Sequence, residues 1–113
     1  MKETDEDVLE DILENIEYIE TYMNRLTLEA FLDSTITQDA LIRRVMVVGE
    51  ASTKISEETR EKIPLEIVVW KQMRDMRNVL IHDYGHIDLL TVWDTCTTSI
   101  PELKKAIIIF LKK

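Results

Sequence analysis

Arg77, Asn78, His82 and Tyr84 stand together in the segment Arg77-Asn78-Val79-Leu80-Ile81-His82-Asp83-Tyr84, and the first three are residue types that handle phosphate. Arginine offers a planar fork of donors matching phosphate oxygens and stays charged at any relevant pH. Histidine as a residue type titrates near neutrality, so it can take or give a proton during group transfer. Such a pair can cleave RNA without a metal: histidine helps a ribose 2′-OH attack the neighbouring phosphate, and arginine stabilises the charge that develops. As a bare spacing, R-x4-H recurs by chance in many proteins, so the element carrying it has to be considered.

That element reads as a helix. At about 100° per residue, Val69, Met73, Met76, Leu80 and Tyr84 fall in one stripe roughly 80° wide, which is the expected core face. Lys71, Arg74, Asn78 and His82 fall on nearly the opposite side, with Arg74, Asn78 and His82 at i, i+4 and i+8. Arg77 lies at the margin of the apolar stripe, within reach of the polar side through its long side chain. A lone histidine is most often structural or inert, but His82 points away from the core this helix must bury. A solvated surface histidine is the remaining alternative to a site.

The rest of the chain has to position that helix. Its 113 residues suffice for one domain, 1–113, and are too few for two. With only two glycines and two prolines, turn signals are scarce, which argues for a few long helices. From Thr4, with Thr4 or Asp5 as cap, Val8, Leu9, Ile12, Leu13, Ile16, Ile19, Met23 and Leu26 recur at helical steps. Residues 27–35 read as a connector with one helical turn. Thr37 is expected to cap a second helix carrying Leu41, Ile42, Val45, Val48 and Ala51 to about Ile55, and residues 56–62 read as a loop or brief turn. Pro64 suits the first turn of the third helix, which runs to about His82 with Gly85 as a stop. Asp88 caps a fourth segment, which Ser99 and Pro101 restart or kink into a final helix. The expected fold is all-α: an antiparallel bundle of four or five helices.

Charge and composition narrow the function. Residues 1–33 hold 11 acidic and two basic side chains, while residues 34–113 hold 11 acidic and 12 basic, so the net charge of −8 belongs almost entirely to the first helix. A solvated face is the plain explanation and a docking surface for a basic partner the other; either leaves the remaining chain open to a phosphate-bearing ligand. The longest apolar run, residues 106–111, is too short to cross a bilayer. Without a secretory-type N-terminal pattern, a cytoplasmic protein with no membrane partner is expected. Cys96 stands alone and reads as a small buried apolar residue. Two histidines and one cysteine show no metal-ligand spacing, and no cofactor is expected.

The Arg77–Tyr84 segment resembles the R-N-x-x-x-H-x-Y signature of the HEPN superfamily, particularly its HepT branch. The likeness extends to the acidic first helix, Phe31, Val48-Gly49-Glu50-Ala51, Trp70, Asp88, Trp93 and the region from Pro101 to Leu103. It departs at Asp75, where that branch has glycine, and at Val68-Val69-Trp70, which lacks a proline before the tryptophan. The resemblance implies a metal-independent ribonuclease, the toxin of a toxin–antitoxin pair, working as a homodimer whose two R-x4-H motifs form one cleft. It implies Arg77 and His82 as the catalytic pair, Asn78 and Asp83 as residues shaping the site, with Arg74 beside them on the helix face. It further implies that Tyr84 receives AMP from a cognate nucleotidyltransferase antitoxin of the MntA kind, a bulky anion that would repel an RNA backbone. On an ideal helix Tyr84 turns toward the core stripe, unless the helix is already ending at Gly85.

Other residues have plainer readings. His86 falls in a turn, and Gly49 permits close helix packing, with Glu50 free to pair with Arg77 or Arg74. Trp70 and Trp93 suit the core or a dimer interface, and Arg43 and Arg44 could extend an RNA-binding surface. Two other functions compete with the ribonuclease: a non-catalytic helical partner or modification target of a nucleotidyltransferase, and a nucleotide-binding domain that recognises phosphate without cutting RNA.

Overall fold

The computed structural model describes residues 3–82 and 86–113. Thr4 opens the first helix by a reciprocal capping box: its hydroxyl accepts the Asp7 N–H at 3.1 Å and the Asp7 carboxylate accepts the Thr4 N–H at 3.2 Å. The helix α1 spans Asp5–Met23, and Val8, Leu9, Ile12, Ile16 and Ile19 are buried, as the periodicity requires. Thr27 caps the short α2, Leu28–Asp33, whose Phe31 is buried. Ser34 then ends α2 and starts α3, Thr35–Thr53, by accepting the Thr37 N–H at 3.2 Å. Thr37 is therefore in the first turn, a correction to its expected capping role: Ser34 already satisfies the orphan donor that a cap at Thr37 would leave exposed.

The stretch read as a loop or brief turn is a capped helix, α4, Glu57–Lys62. Ser56 accepts the Thr59 N–H, and both hydroxyls donate to the Asp5 carboxylate of α1, which fastens α4 to the start of the chain. Pro64 lies ahead of α5, Ile67–His82, and outside its first turn. The Leu65 N–H closes a tight turn onto the Ile63 carbonyl at 2.7 Å, and helical bonding starts only with Val69 N–H to Glu66 carbonyl at 3.0 Å. Asp88 caps α6, Leu89–Asp94, as expected. The chain passes through a π-helical turn, Thr95–Ser99, into α7, Ile100–Leu111. Pro101 has no N–H to donate and its ring crowds the carbonyl four residues back; the wider turn before it accommodates both without breaking the rod.

Among the described residues four long rods result, α1, α3, α5 and the α6–α7 run, and their cross-contacts define the direction of each. Asp5 at the start of α1 meets Ser56 just beyond α3. Gly49 and Glu50 near the end of α3 meet Arg77, while Ser52 lines a cavity with Trp70 further back on α5. Gln72 of α5 meets Ser99, and Lys104 of α7 and Lys113 just beyond it meet Glu20 and Glu10 of α1. Neighbours run antiparallel in each case, so the all-α antiparallel bundle is borne out. Its centre holds Leu9, Ile12, Ile16, Phe31, Leu41, Val45, Met73, Leu80, Leu103 and Ile107, each contributing about 1.5–3 kcal/mol if aliphatic or aromatic and fully buried. None of the described helices is long and apolar enough to cross a membrane.

Candidate active site

α5 is positioned by what it buries. Val69, Trp70, Met73, Met76 and Leu80 face inward, and this leaves Lys71, Arg74, Asn78 and His82 on the other side, as the 100° periodicity demands. The backbones of α3 and α5 come unusually close at Gly49. A Cβ built there would lie 2.6 Å from the Arg77 Cβ and 3.0 Å from the Met73 carbonyl oxygen, so the absence of a side chain is what admits α5 at this distance.

That approach sets Arg77. Its Nε donates to Glu50 Oε2 at 2.6 Å and its Nη1 donates to Asn78 Oδ1 at 2.8 Å. The guanidinium is held from two sides, by a carboxylate on α3 and by the next residue on α5, and its side chain is 28% exposed. Glu50 therefore chooses Arg77 over Arg74. With Nε–H and one Nη1–H occupied, one N–H on Nη1 and two on Nη2 remain, and the planar guanidinium can present them to phosphate oxygens. A charge held this way needs little reorganisation when an anion develops beside it.

The other members of the face are arranged differently. Lys71 Nζ lies 3.1 Å from Asp75 Oδ2 and Arg74 Nε lies 3.8 Å from Asp75 Oδ1. Asp75 thus partly neutralises both cations. His82 is the last described residue of α5, exposed, and its imidazole makes no hydrogen bond or ion pair among the described residues. Asp83 and Tyr84, with Gly85, lie outside the described residues. Arg77 and His82 are five positions apart, so their Cα–Cβ directions differ by about 140° around the helix and about 7.5 Å along it.

Of the remaining sequence expectations, Arg44, read with Arg43 as an extension of an RNA-binding surface, is tied to α1. Its guanidinium lies 3.9 Å from the centre of the Tyr18 ring and donates to Asn15 at 3.0 Å, which commits it to α1. Trp70 is buried, with its Nε1–H lacking an acceptor among the described residues, and Trp93 stacks on Phe31 at 5.4 Å. Cys96 is buried, and desolvation pushes its thiol up to about 12, so it is an inert core residue. His86 is exposed. Arg60 is a residue that sequence reasoning missed: it sits on α4, within the stretch whose charged composition reads as a loop, and nothing in the sequence alone directs it toward α5.

The model of the "Ribonuclease HepT-like" family matches residues 12–108. A protein of Thermococcus cleftensis named "Probable ribonuclease HepT" is 39% identical over 104 residues, covering 92% of this chain and 93% of that one. A protein of Methanocaldococcus jannaschii, named as a gamma-glutamylcyclotransferase with a provisional RNase, is 40% identical over 100 residues, covering 88% of this chain. The match spans only 44% of that relative's length. No solved structure matches.

Proposed function

The chain belongs to the HepT-like ribonuclease family of the HEPN superfamily, and on that footing we propose that it is a metal-independent RNA endonuclease with Arg77 and His82 as its catalytic pair. The observation that carries this reading is the α5 face, where a guanidinium held by Glu50 and Asn78 precedes an exposed imidazole by five residues. His82 removes the proton of a ribose 2′-OH, and that oxygen forms a bond to the adjacent phosphorus. The bond from phosphorus to the 5′-oxygen breaks, and that oxygen takes up a proton from water while His82 returns the one it removed to solvent. A 2′,3′-cyclic phosphate and a 5′-hydroxyl result, with Arg77 stabilising the charge on the non-bridging oxygens. Asn78 fixes Arg77, Arg74 attracts the backbone, and Asp83 completes the site.

The 140° between Arg77 and His82 supports a composite cleft. A second copy presenting its own α5 face would bring one protomer's histidine toward the other's arginine, which a single helix does not do by backbone direction. We assign Tyr84 as the residue to which a nucleotidyltransferase antitoxin attaches AMP, which would make the protein the toxin of that pair, acting in the cytoplasm.

The test is incubation of the purified chain with tRNA and mRNA in EDTA. Wild type is expected to yield cyclic-phosphate ends, and Arg77→Ala and His82→Ala each to lose at least about 100-fold in rate. Intact RNA at high wild-type concentration overturns the enzyme reading in favour of a binding module. Intact-mass analysis after coexpression with a small nucleotidyltransferase tests the modification; an AMP adduct that persists in Tyr84→Phe overturns the assignment of the tyrosine.

A further inference from the structure

A cavity of about 620 Å³ opens where the end of α3, α4 and the first turns of α5 meet. Its size is that of small-ligand sites. Arg60 enters it from α4, and Lys71 and Arg74 from α5. Arg60 is half-buried and has no ion pair or side-chain hydrogen bond among the described residues. Glu57 and Glu61 line the same space, so it is no simple anion trap. Trp70 forms part of the wall, 8% exposed, with its indole N–H buried and unpartnered among the described residues.

This mixture has a chemical meaning. Cations suit phosphate oxygens, carboxylates accept from exocyclic base amines and ribose hydroxyls, and an apolar wall packs against a base. A nucleotide is the ligand class that asks for all three. Location adds to this, because the cavity shares the outer side of α5 with Asn78 and His82. At 1.5 Å per residue, the Arg74 backbone is roughly 4.5 Å from Arg77 and roughly 12 Å from His82 along the axis. A strand reacting beside Arg77 or His82 would pass near the cavity mouth.

We infer that this cavity holds a nucleotide flanking the scissile bond of single-stranded RNA, with Arg60 and Lys71 on its phosphate and Glu57 or Glu61 on base or sugar donors. The strand must be single because a base enters a cavity only when unstacked. The inference rests on the ribonuclease reading for its scissile bond, and its test is separable from the test of that reading.

Trp70 is the reporter. The chain has two tryptophans, so Trp93→Phe leaves Trp70 as the single indole. Combined with His82→Ala, the protein is expected to bind a single-stranded RNA octamer without cutting it, and Trp70 emission to change saturably. Arg60→Gln with Lys71→Gln is expected to weaken binding about tenfold and to reduce the salt slope by about 0.7, for the one phosphate no longer neutralised. Thr53→Glu, an added charge at an exposed rim position that leaves the core untouched, is expected to weaken it as well. Affinity within twofold in both variants, or RNA binding with silent Trp70 emission, overturns the inference. So does an emission change that follows protein concentration without RNA and disappears in Ile67→Ser, which would make this wall a self-association face. Wild-type cleavage with a silent Trp70 refutes the cavity alone. Absent cleavage with a responding Trp70 refutes the catalytic reading and its scissile bond, leaving a nucleotide-binding cavity.

Discussion

α1 and α5 are both amphipathic rods that bury a row of large apolar side chains, yet they use their outward charges in opposite ways. α1 uses its acids to join elements: Asp5 holds the Ser56 and Thr59 hydroxyls, Glu10 meets Lys113, and Glu20 meets Lys104 at 2.8 Å. α5 makes one charged contact to another element among the described residues, Arg77 to Glu50, and otherwise pairs within itself through Asp75. The difference teaches how to read a charged face. Acids whose partners lie on distant segments are fasteners, whereas cations paired only to a neighbouring turn leave their helix face open to an outside ligand. The acidity of the first third of the chain is thus partly structural, which neither a solvated face nor a docking surface describes by itself.

The hardest way to break this contrast is where the one inter-element charged contact of α5 among the described residues is made. Gly49→Ala is expected to lower folding stability by about 1–3 kcal/mol, because the new Cβ meets the Arg77 Cβ and a carbonyl, which cannot rotate away. The sign is diagnostic: glycine to alanine inside a helix free of such contact is stabilising by up to about 1 kcal/mol. Chemical denaturation measures it, and a stability equal to or above wild type would show that α3 and α5 separate without strain.

Glu50 gives the next largest effect, and it should fall on rate more than on stability. The pair is partly exposed, its side chains being 28% and 43% accessible, so its contribution to folding is about 1 kcal/mol or less. Freed from Glu50, the guanidinium is more mobile and also less neutralised. Glu50→Ala is therefore expected to reduce kcat about tenfold while KM stays level or falls, with Glu50→Gln intermediate because it keeps an acceptor. A loss confined to KM, or a thermal midpoint that falls in proportion to activity, would make the residue a plain brace.

Much of this is legible in the residues. The 100° arithmetic places Arg74, Asn78 and His82 outside the core, since burial of Met73, Met76 and Leu80 leaves no other rotation for α5. Thr4 and Asp88 are readable as caps because a hydroxyl or carboxylate there finds a backbone donor two or three residues on. What escapes is decided by distant partners. Residues 57–62 form a helix whose cap, Ser56, is fastened by Asp5, 51 positions earlier. Pro64 is displaced from α5 by a turn at Ile63 that no local propensity announces. The hold on Arg77 depends on Gly49 lying against it, and a glycine inside a helix records close approach without naming what approaches.

The smallest effect tests the fasteners themselves. Asp5 accepts hydrogen bonds from the Ser56 and Thr59 hydroxyls and the Ser56 N–H, which hold its carboxyl below its ordinary value of 3.8. A lowered folded-state pKa means that the carboxylate binds its proton less readily when folded than when unfolded. Its stabilising contribution is complete above pH 3.8 and fades as pH falls below it. The group is near the surface, so screening keeps this contribution to about 1 kcal/mol or less. Asp5→Asn keeps one acceptor but loses the charge. The gap in urea midpoint between wild type and Asp5→Asn is expected to be open at about pH 7 and to close toward about pH 3, with RNA cleavage at neutral pH unchanged. A gap that stays constant across that range would mean the contact holds α4 by shape alone, and a loss of cleavage would mean that fastening on α1 and chemistry on α5 are coupled through α4.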